Sequence, residues 1–267
     1  MARTYLKDRQ PRQIGVAVAD LLDHPGGARA RQLLYGDIVV PLDEMRDHVL
    51  IKAQRDGYVG YVVREALTDA VAPTHRVIGL ATHLYEAPDF KSRDVVSLSF
   101  GTLLRLGDEQ GAFHATHTGH FVPTMHVARA SLKFNDLAAV AELFLGTPYL
   151  WGGNSRLGLD CSGLIQAACL ACGIPCPGDS DQQEQNLGDT LDPDDPLRRG
   201  DLVFWNGHVG MMVNHTLMIH ANAHHMATVF EPLEDAAARI EAAGDGPVTA
   251  RRRPVLARAR PSTVGAE

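Results

Sequence analysis

The chain has 267 residues, of which 45% are hydrophobic and 21% are charged. This composition is typical of a globular protein, and the sequence has no apolar run of about 18 residues that would cross a membrane. The formal net charge is −7, which argues against nucleic acid as the main partner. The 25 glycines and 15 prolines favour many short strands and turns over a helical bundle.

The first half of the chain has the pattern of small all-β units. Residues 33–40 form an apolar stretch with a glycine break, and the β-prone residues 58–62 follow an Asp-Gly turn. A weak repeat, in which residues 100–104 resemble residues 35–39, indicates that the pattern occurs twice. We therefore predict two units, at residues 12–71 and 74–128.

The pattern changes near residue 131, where helical signals begin. Asn135-Asp136 can cap a first helix that Gly146 ends. A second helix should begin at Asp160-Cys161-Ser162 and end before Gly173. The other predicted elements are a helix at residues 233–243 and strands at residues 202–205, 208–213, 217–220 and 248–253.

All four cysteines lie in one short segment, at positions 161, 169, 172 and 176. In a reducing compartment they should be thiols rather than disulfides. Clustered cysteines can also bind zinc, and the histidines available for such a site are His215, His220, His224 and His225. Cys169 and Cys172 fall in an apolar run, however, which favours buried side chains on a helix.

Cys161 stands where the second helix is predicted to begin. Backbone N–H groups at a helix start carry partial positive charge, so we expect a thiolate there. A nucleophilic cysteine needs an oriented base, and His208 and His220 lie on consecutive predicted strands. A hairpin centred on residue 214 would place them opposite each other if its loop has an odd number of residues. An even number would turn one side chain away.

Four sequence blocks in this half resemble the NlpC-type cell-wall peptidases, a papain-like cysteine peptidase family. The blocks are Gly146-Thr147-Pro148-Tyr149-Leu150-Trp151-Gly152-Gly153-Asn154 leading into Asp160-Cys161-Ser162-Gly163-Leu164, then Gly200-Asp201-Leu202-Val203-Phe204-Trp205, His208-Val209-Gly210-Met211 and Met218-Ile219-His220-Ala221. The upstream half resembles two bacterial SH3-type barrels. The resemblance implies an α+β fold, with a papain-like domain at residues 131–260 after two small all-β SH3-like barrels.

The resemblance also implies roles for individual residues. Cys161 corresponds to the nucleophile, His208 to the base and His220 to the residue that orients the base. The implied substrate-binding residues are Tyr58, Tyr149, Trp151, Asp160, Ser162 and Ser180. One departure is Gly178, which follows Pro177 where the family often has a basic residue.

Two such barrels before an NlpC-type domain are similar to the γ-D-glutamyl-L-diamino acid endopeptidases that process murein peptides. In those proteins the first barrel closes one end of the cleft. A tyrosine and an acid of the barrel, with the aspartate of the cysteine block, bind the free amine of L-Ala. Tyr58 fits the tyrosine, and either Asp37 or Glu44 fits the acid. The expected substrate is therefore a murein tripeptide or related stem peptide with a free N-terminal L-Ala.

The remaining expectations concern cofactors, location and rival functions. We expect no cofactor and no metal, because a cysteine and a histidine supply the nucleophile, and no nucleic-acid or membrane partner. No apolar segment follows the first ten residues, so we expect a cytoplasmic protein that recycles murein peptides. The alternatives are a non-catalytic peptidoglycan-binding protein, an amidase or acyltransferase on the same fold, and the zinc protein considered above.

Overall fold

The computed structural model describes residues 4–5 and 9–256. Its first unit is an antiparallel sheet with the strand order β4-β3-β7-β6-β5-β2-β8, and β1 pairs with β5. The strands are β1 (Thr4–Tyr5), β2 (Arg12–Ile14), β3 (Val18–Leu22), β4 (Arg29–Leu34), β5 (Ile38–Met45), β6 (His48–Ala53), β7 (Val59–Val63) and β8 (Leu67–Asp69). Alternate residues of these strands, including Leu21, Val39, Ile51 and Val62, point inward and form its core.

The second unit repeats this plan with eight further strands. They are β9 (His75–Val77), β10 (Ala81–Tyr85), β11 (Asp94–Ser99), β12 (Leu103–Leu104), β13 (Leu106–Gln110), β14 (Phe113–Thr116), β15 (Phe121–Pro123) and β16 (Val127–Arg129). They form a five-stranded sheet, β11-β10-β15-β14-β13, and a three-stranded sheet, β12-β9-β16. In both units a 3₁₀ turn, Arg64–Ala66 or Thr124–His126, precedes a last strand that pairs with an early strand of the same unit. The repeat seen in the sequence is therefore present in the fold.

The third unit combines a six-stranded sheet with four helices. Its elements are α1 (Leu137–Glu142), β17 (Asn154–Ser155), β18 (Gly158–Leu159), α2 (Cys161–Ala171), α3 (Ser180–Asn186), β19 (Asp189–Thr190), β20 (Leu202–Trp205), β21 (His208–Met212), β22 (Leu217–Asn222), β23 (Ala227–Pro232), α4 (Leu233–Ala243) and β24 (Ala250–Arg253). The sheet order is β19-β24-β20-β21-β22-β23. The predicted bounds of β20 and α4 are confirmed, whereas α3, β23 and the β17–β18 pair were not predicted.

The sheet of the third unit is covered on both faces. Leu202 and Phe204 pack in the core formed with α1 and α2, and Val203 and Trp205 pack with Ile240 of α4. This explains why every residue of β20 is buried although strand side chains alternate between faces. The central strands of the sheet, β20 to β22, thus lie between α2 and α4, and β21 and β22 contact α2.

The two barrels pack tightly against the third unit. Phe100 of the second barrel lies with its ring centre 5.8 Å from those of both Phe134 and Phe144. Gln32 of the first barrel accepts a 3.2 Å hydrogen bond from the backbone N–H of Asn154. Tyr35 of the first barrel packs in the core of the second. None of the helices in the described part of the chain has the length and hydropathy to span a bilayer.

Candidate active site

The site is built around Cys161, the first residue of α2. Asp160 caps this helix, and its Oδ1 accepts hydrogen bonds from the backbone N–H of Gly163 at 2.6 Å and from the Ser162 hydroxyl at 3.0 Å. Its Oδ2 accepts a bond from the backbone N–H of Gly152 at 2.9 Å. Asp160 therefore fixes the loop before the helix and the first turn of the helix, and so the position of the Cys161 sulfur.

The surroundings of Cys161 oppose the thiolate that was expected from the sequence. Burial, followed by the charge of Asp160, raises the pKa of the Cys161 thiol to about 12, although the backbone N–H groups of Val209 and Ser162 face the sulfur and act in the other direction. Desolvation disfavours the charged form more strongly than the helix start favours it. The resting cysteine is thus a neutral thiol, which has to lose its proton when it reacts.

His208 and His220 contact each other across β21 and β22. His208 Nε2 lies 2.9 Å from His220 Nδ1. Met212 pairs with Met218, so the hairpin is centred on residue 215 and five residues separate the last pair. The expected centre at residue 214 is therefore wrong by one. The two histidines are diagonal neighbours rather than directly opposite, but the odd count keeps both on one face, as the sequence argument required.

Gly210 makes room for this diagonal contact. Continuing the register places it opposite His220, and a Cβ atom at position 210 would lie 3.5 Å from the His220 Cβ and 2.9 Å from the Met218 Sδ. A side chain there would press on the Met218 thioether, whereas its contact with the His220 Cβ would be an ordinary one. The glycine of the His-Val-Gly block thus has a local packing reason.

Both imidazole rings are neutral at ordinary pH. Burial, followed by the charge at His220, lowers the pKa of His208 to about 3. Burial also lowers the pKa of His220 to about 4, against the opposing influence of Glu231. His208 lines the same cavity as Cys161, so a neutral thiol and a neutral imidazole share one cleft. Because Nε2 of His208 is bonded to His220, Nδ1 is the ring nitrogen left for the thiol.

Three polar groups behind His220 were missed by the sequence argument. Glu231 Oε2 lies 2.8 Å from His220 Nε2, and Arg239 donates to both oxygens of Glu231, at 3.0 and 2.7 Å. Asn222 Nδ2 lies 3.0 Å from the same His220 nitrogen. Glu231 lies on β23, a strand that was not predicted, so the sequence pattern carried no signal for it.

The predicted substrate-binding residues all line one cleft of about 340 Å³ on one side of Cys161. They are Tyr58 from the first barrel, Tyr149, Trp151, Asp160 and Ser162 from the segments around the cysteine, and Ser180 at the start of α3. Trp151 is 70% exposed, which leaves its indole free to cover a bound molecule. The structure thus brings these six residues together, and their contacts with substrate remain predictions.

Neither acid named from the sequence lines this cleft. Asp37 is buried and accepts hydrogen bonds from the backbone N–H of Leu34 and from Arg55, and it lines a separate cavity against α2 that does not include Cys161. Glu44 pairs with Arg64 at 2.7 Å. The expectation that one of them joins Tyr58 is wrong, because barrel strands place both side chains elsewhere.

The acid beside Tyr58 is Asp179, which immediately precedes α3. The Tyr58 hydroxyl donates to Asp179 Oδ1 at 3.5 Å, and the Asp179 side chain is 38% exposed. Burial raises the pKa of Asp179, although Arg31 opposes that change. Sequence reasoning passed over Asp179 because it searched the barrel for the acid, whereas the partner comes from the opposite wall.

Arg31 is a buried cation in the wall of the same cleft. Its side chain is 2% exposed, and its Nη1 donates to the Ser162 hydroxyl at 2.9 Å and lies 3.6 Å from Asp160 Oδ2. A Cβ atom at Gly178 would lie 3.3 Å from Arg31 Nε and 2.9 Å from the Tyr58 ring. The family often has a basic side chain at the position of Gly178. In this chain the guanidinium group of Arg31, from the first barrel, lies next to that position.

A second cavity, of about 320 Å³, also has Cys161 in its lining and shares Tyr149, Asn206 and Gly207 with the first. Asn206, His224, Arg239 and Asp245 contribute polar groups to its lining. Cys161 is thus common to the linings of both cavities.

Three potential metal ligands, His220, His225 and Glu231, present donor atoms within 4.8 Å of one another. Each is already bonded within the protein: His220 to Glu231, Glu231 to Arg239, and His225 Nδ1 to Asn222 Oδ1 at 3.0 Å. A cation would compete with the Arg239 guanidinium for Glu231. The arrangement therefore suits a hydrogen-bond network better than a metal centre, and the cysteine cluster contributes no ligand to it.

Comparisons with known proteins agree with this architecture. Residues 146–237 match the family model described as the NlpC/P60 family, and residues 21–67 match one described as a bacterial dipeptidyl-peptidase Sh3 domain. The chain is 29% identical over 216 residues to the gamma-D-glutamyl-L-lysine dipeptidyl-peptidase of Bacillus subtilis, a match that covers 71% of this chain and 71% of that protein.

Two further similarities extend over most of the other protein. The chain is 30% identical over 162 residues to a probable endopeptidase NlpC homolog of Haemophilus influenzae, covering 56% of this chain and 82% of that protein. A crystal structure of an NlpC/P60 family protein from Bacillus cereus superposes with a TM-score of 0.79 at 23% identity, covering 93% of this chain and 100% of that one. These matches confirm the predicted fold class.

Proposed function

The chain belongs to the NlpC/P60 family of cysteine peptidases, and from that premise we propose that it hydrolyses the γ-D-Glu–diamino acid bond of murein peptides with a free N-terminal L-Ala. The observation that carries the proposal is the position of Cys161 beside His208, at the end of a cleft that the first barrel closes with Tyr58. A cleft closed at that end accepts a short free peptide and leaves no room for a glycan-linked stem.

The first step is attack of the Cys161 sulfur on the γ-carbonyl carbon of D-Glu. The thiol proton passes to Nδ1 of His208 as the carbon–sulfur bond forms, because the thiol and the ring are both neutral beforehand. The carbonyl oxygen becomes an oxyanion, and the Cys161 backbone N–H at the start of α2 is placed to stabilise it.

Breakdown of this intermediate needs the same proton. His208 gives it to the nitrogen of the diamino acid, which leaves as a free amine while a thioester forms. Water then attacks the thioester and gives a proton to His208, and the sulfur leaves and regains its proton from the ring. The products are the dipeptide L-Ala-D-Glu and the diamino acid.

Asp179 and Tyr58 supply the recognition of the free amine. The Asp179 carboxylate is 38% exposed and lies 3.9 Å from Arg31 Nη1, and the Tyr58 hydroxyl points at it. Asp181 also lines the cleft and is exposed, but no hydrogen bond joins it to Tyr58 among the described residues. The oxygens of Asp160 are already used by the backbone N–H groups of Gly152 and Gly163 and by Ser162. An ammonium group is stabilised beside a half-buried carboxylate, while an acylated nitrogen has no charge to offer. Selection of free peptides suits the recycling of murein fragments in the cytoplasm.

Mass spectrometry of synthetic peptides tests the proposal. Purified protein should convert L-Ala-γ-D-Glu-meso-diaminopimelate or L-Ala-γ-D-Glu-L-Lys to L-Ala-D-Glu, and the N-acetylated forms of the same peptides should react far more slowly. The Cys161→Ala protein is the matched blank. Absence of product from all four peptides would overturn the proposed activity, and equal rates with and without the acetyl group would remove the amine site alone.

A further inference from the structure

Glu231 ends a chain of buried hydrogen bonds that begins in the cleft. The side chain is buried, with the residue 9% exposed, and its carboxylate lies between His220 and Arg239. The register of β22 and β23 pairs Met218 with Glu231 and His220 with Val229, so Glu231 reaches His220 diagonally. The chain runs from His208 through His220 to Glu231, with contacts of 2.9 and 2.8 Å.

Each neutral imidazole has one N–H group and one lone pair, so each link in this chain fixes the next. An ionised carboxylate only accepts hydrogen bonds, and therefore His220 must carry its proton on Nε2, which faces Glu231. Nδ1 of His220 then has the lone pair and accepts from Nε2–H of His208. The lone pair of His208 is left on Nδ1, the nitrogen that has to receive the thiol proton.

We propose that Glu231 is a positioning residue that fixes the tautomers of both histidines and so makes Nδ1 of His208 the basic atom. This role rests on the peptidase activity proposed above. The opposite pair of tautomers, with the lone pair of His220 on Nε2, is also available. Asn222 Nδ2 lies 3.0 Å from that nitrogen and can donate a hydrogen bond to it. Asn222 is held in this orientation, since its Oδ1 accepts from the backbone N–H of His225 at 2.8 Å. Without the Glu231 charge, the hydrogen bond from Asn222 would favour the tautomer of His220 that carries its proton on Nδ1. His208 would then carry its proton on Nδ1 as well.

Arg239 keeps Glu231 in the state that this role requires. Burial alone would raise the pKa of Glu231, but the hydrogen bonds from Arg239 and the neighbouring charges lower it below its usual value. Three titratable or charged side chains face the carboxylate: Arg239 from α4, His220 from β22 and His225 from the turn after it. Their combined influence keeps Glu231 ionised over the range in which a cysteine peptidase works.

The variant that tests the role is Glu231→Gln. The glutamine keeps the shape of the side chain, and its amide N–H can donate a hydrogen bond to His220 Nε2. We expect kcat on L-Ala-γ-D-Glu-L-Lys to fall by about 10²- to 10³-fold, because the wrong tautomer leaves no lone pair facing the thiol. KM should change by less than about twofold, since Glu231 lies behind the histidines. Glu234→Gln, an exposed change on α4, is the matched control and should keep the wild-type kcat.

The direct measurement is ¹⁵N NMR of histidine-labelled protein at neutral pH, which needs no substrate. The wild type should show protonated Nε2 and bare Nδ1 in both rings, and Glu231→Gln should show the reverse for His220 and His208. Glu231→Asp should retain the wild-type pattern and part of the activity. Protonated Nδ1 on His220 of the wild type would overturn the proposal even if Glu231→Gln does not fold. Unchanged kcat in a folded Glu231→Gln protein would also overturn it.

Discussion

Tyr58 of the first barrel donates a hydrogen bond to Asp179 of the third unit, so two residues 121 positions apart meet in the lining of the cleft beside Cys161. The tyrosine reaches the cleft because β7 follows a tight turn, where the Tyr58 backbone N–H donates to Asp56 at 2.9 Å. Asp179, the residue immediately before α3, faces the tyrosine. The pairing therefore depends on the packing of the first barrel against the third unit.

Replacing Asp179 with Asn tests whether this pair binds the substrate amine. The change removes a negative charge and keeps the size, so kcat/KM for the free L-Ala peptide should fall about tenfold or more, as expected for one charge-assisted hydrogen bond. The rate for the N-acetylated peptide should not change, because that peptide has no ammonium group. Asp189→Asn, an exposed change on β19, serves as the control. An equal loss on both peptides would show that Asp179 supports the fold rather than the amine.

Replacing Cys161 with Ala tests the nucleophile. We expect activity to fall below a few per cent of the wild type, because the neighbouring groups cannot replace the sulfur, while the fold remains intact. Cys172→Ala is the control, because Cys172 is also buried but packs at the end of α2. Circular dichroism and peptide turnover should be measured for both proteins. Substantial turnover by a folded Cys161→Ala protein would exclude the thiol mechanism.

The sequence predicted the parts of the site that depend on local pattern. Cys161 at a helix start follows from Asp160 and the apolar stripe after it, and the contact between His208 and His220 follows from their equal parity on adjoining strands. The pairing of Asp179 with Tyr58 could not be predicted, because it depends on how the barrel packs against the third unit. The raised pKa of the Cys161 thiol was missed for a related reason. The degree of burial depends on tertiary packing, and burial raises this pKa more than the backbone N–H groups at the helix start lower it.

The low pKa values of the two buried histidines predict acid destabilisation. The unfolded chain takes up protons at both residues near pH 6.5, whereas the folded protein resists until about pH 3 to 4. The contribution of these groups is therefore complete above pH 6.5 and is lost as the pH falls through that window. Each proton adds about 1.4 kcal/mol per pH unit to the slope of the unfolding free energy.

Urea unfolding between pH 4.5 and 7.5 measures this slope. His208→Gln should reduce it by about 1.4 kcal/mol per pH unit, because one protonation difference between the folded and unfolded states disappears. If His208→Gln had the wild-type slope, His208 would be protonated in the folded protein, and the neutral pair used in the mechanism would be wrong.

Gly178 offers a test of the barrel contact that removes no polar group. An alanine Cβ there would lie 2.9 Å from the Tyr58 ring, so the ring has to shift and its contact with Asp179 is disturbed. We expect KM for the free L-Ala peptide to rise several-fold and the free energy of unfolding to fall by about 1 to 3 kcal/mol, as is usual for overpacking. The acetylated peptide should be cleaved at its wild-type rate. Gly107→Ala, where the nearest atom is 3.8 Å away, should alter neither quantity. Wild-type KM in Gly178→Ala would mean that the amine does not depend on the position of Tyr58, and the closed end of the cleft would have to select free peptides by shape alone.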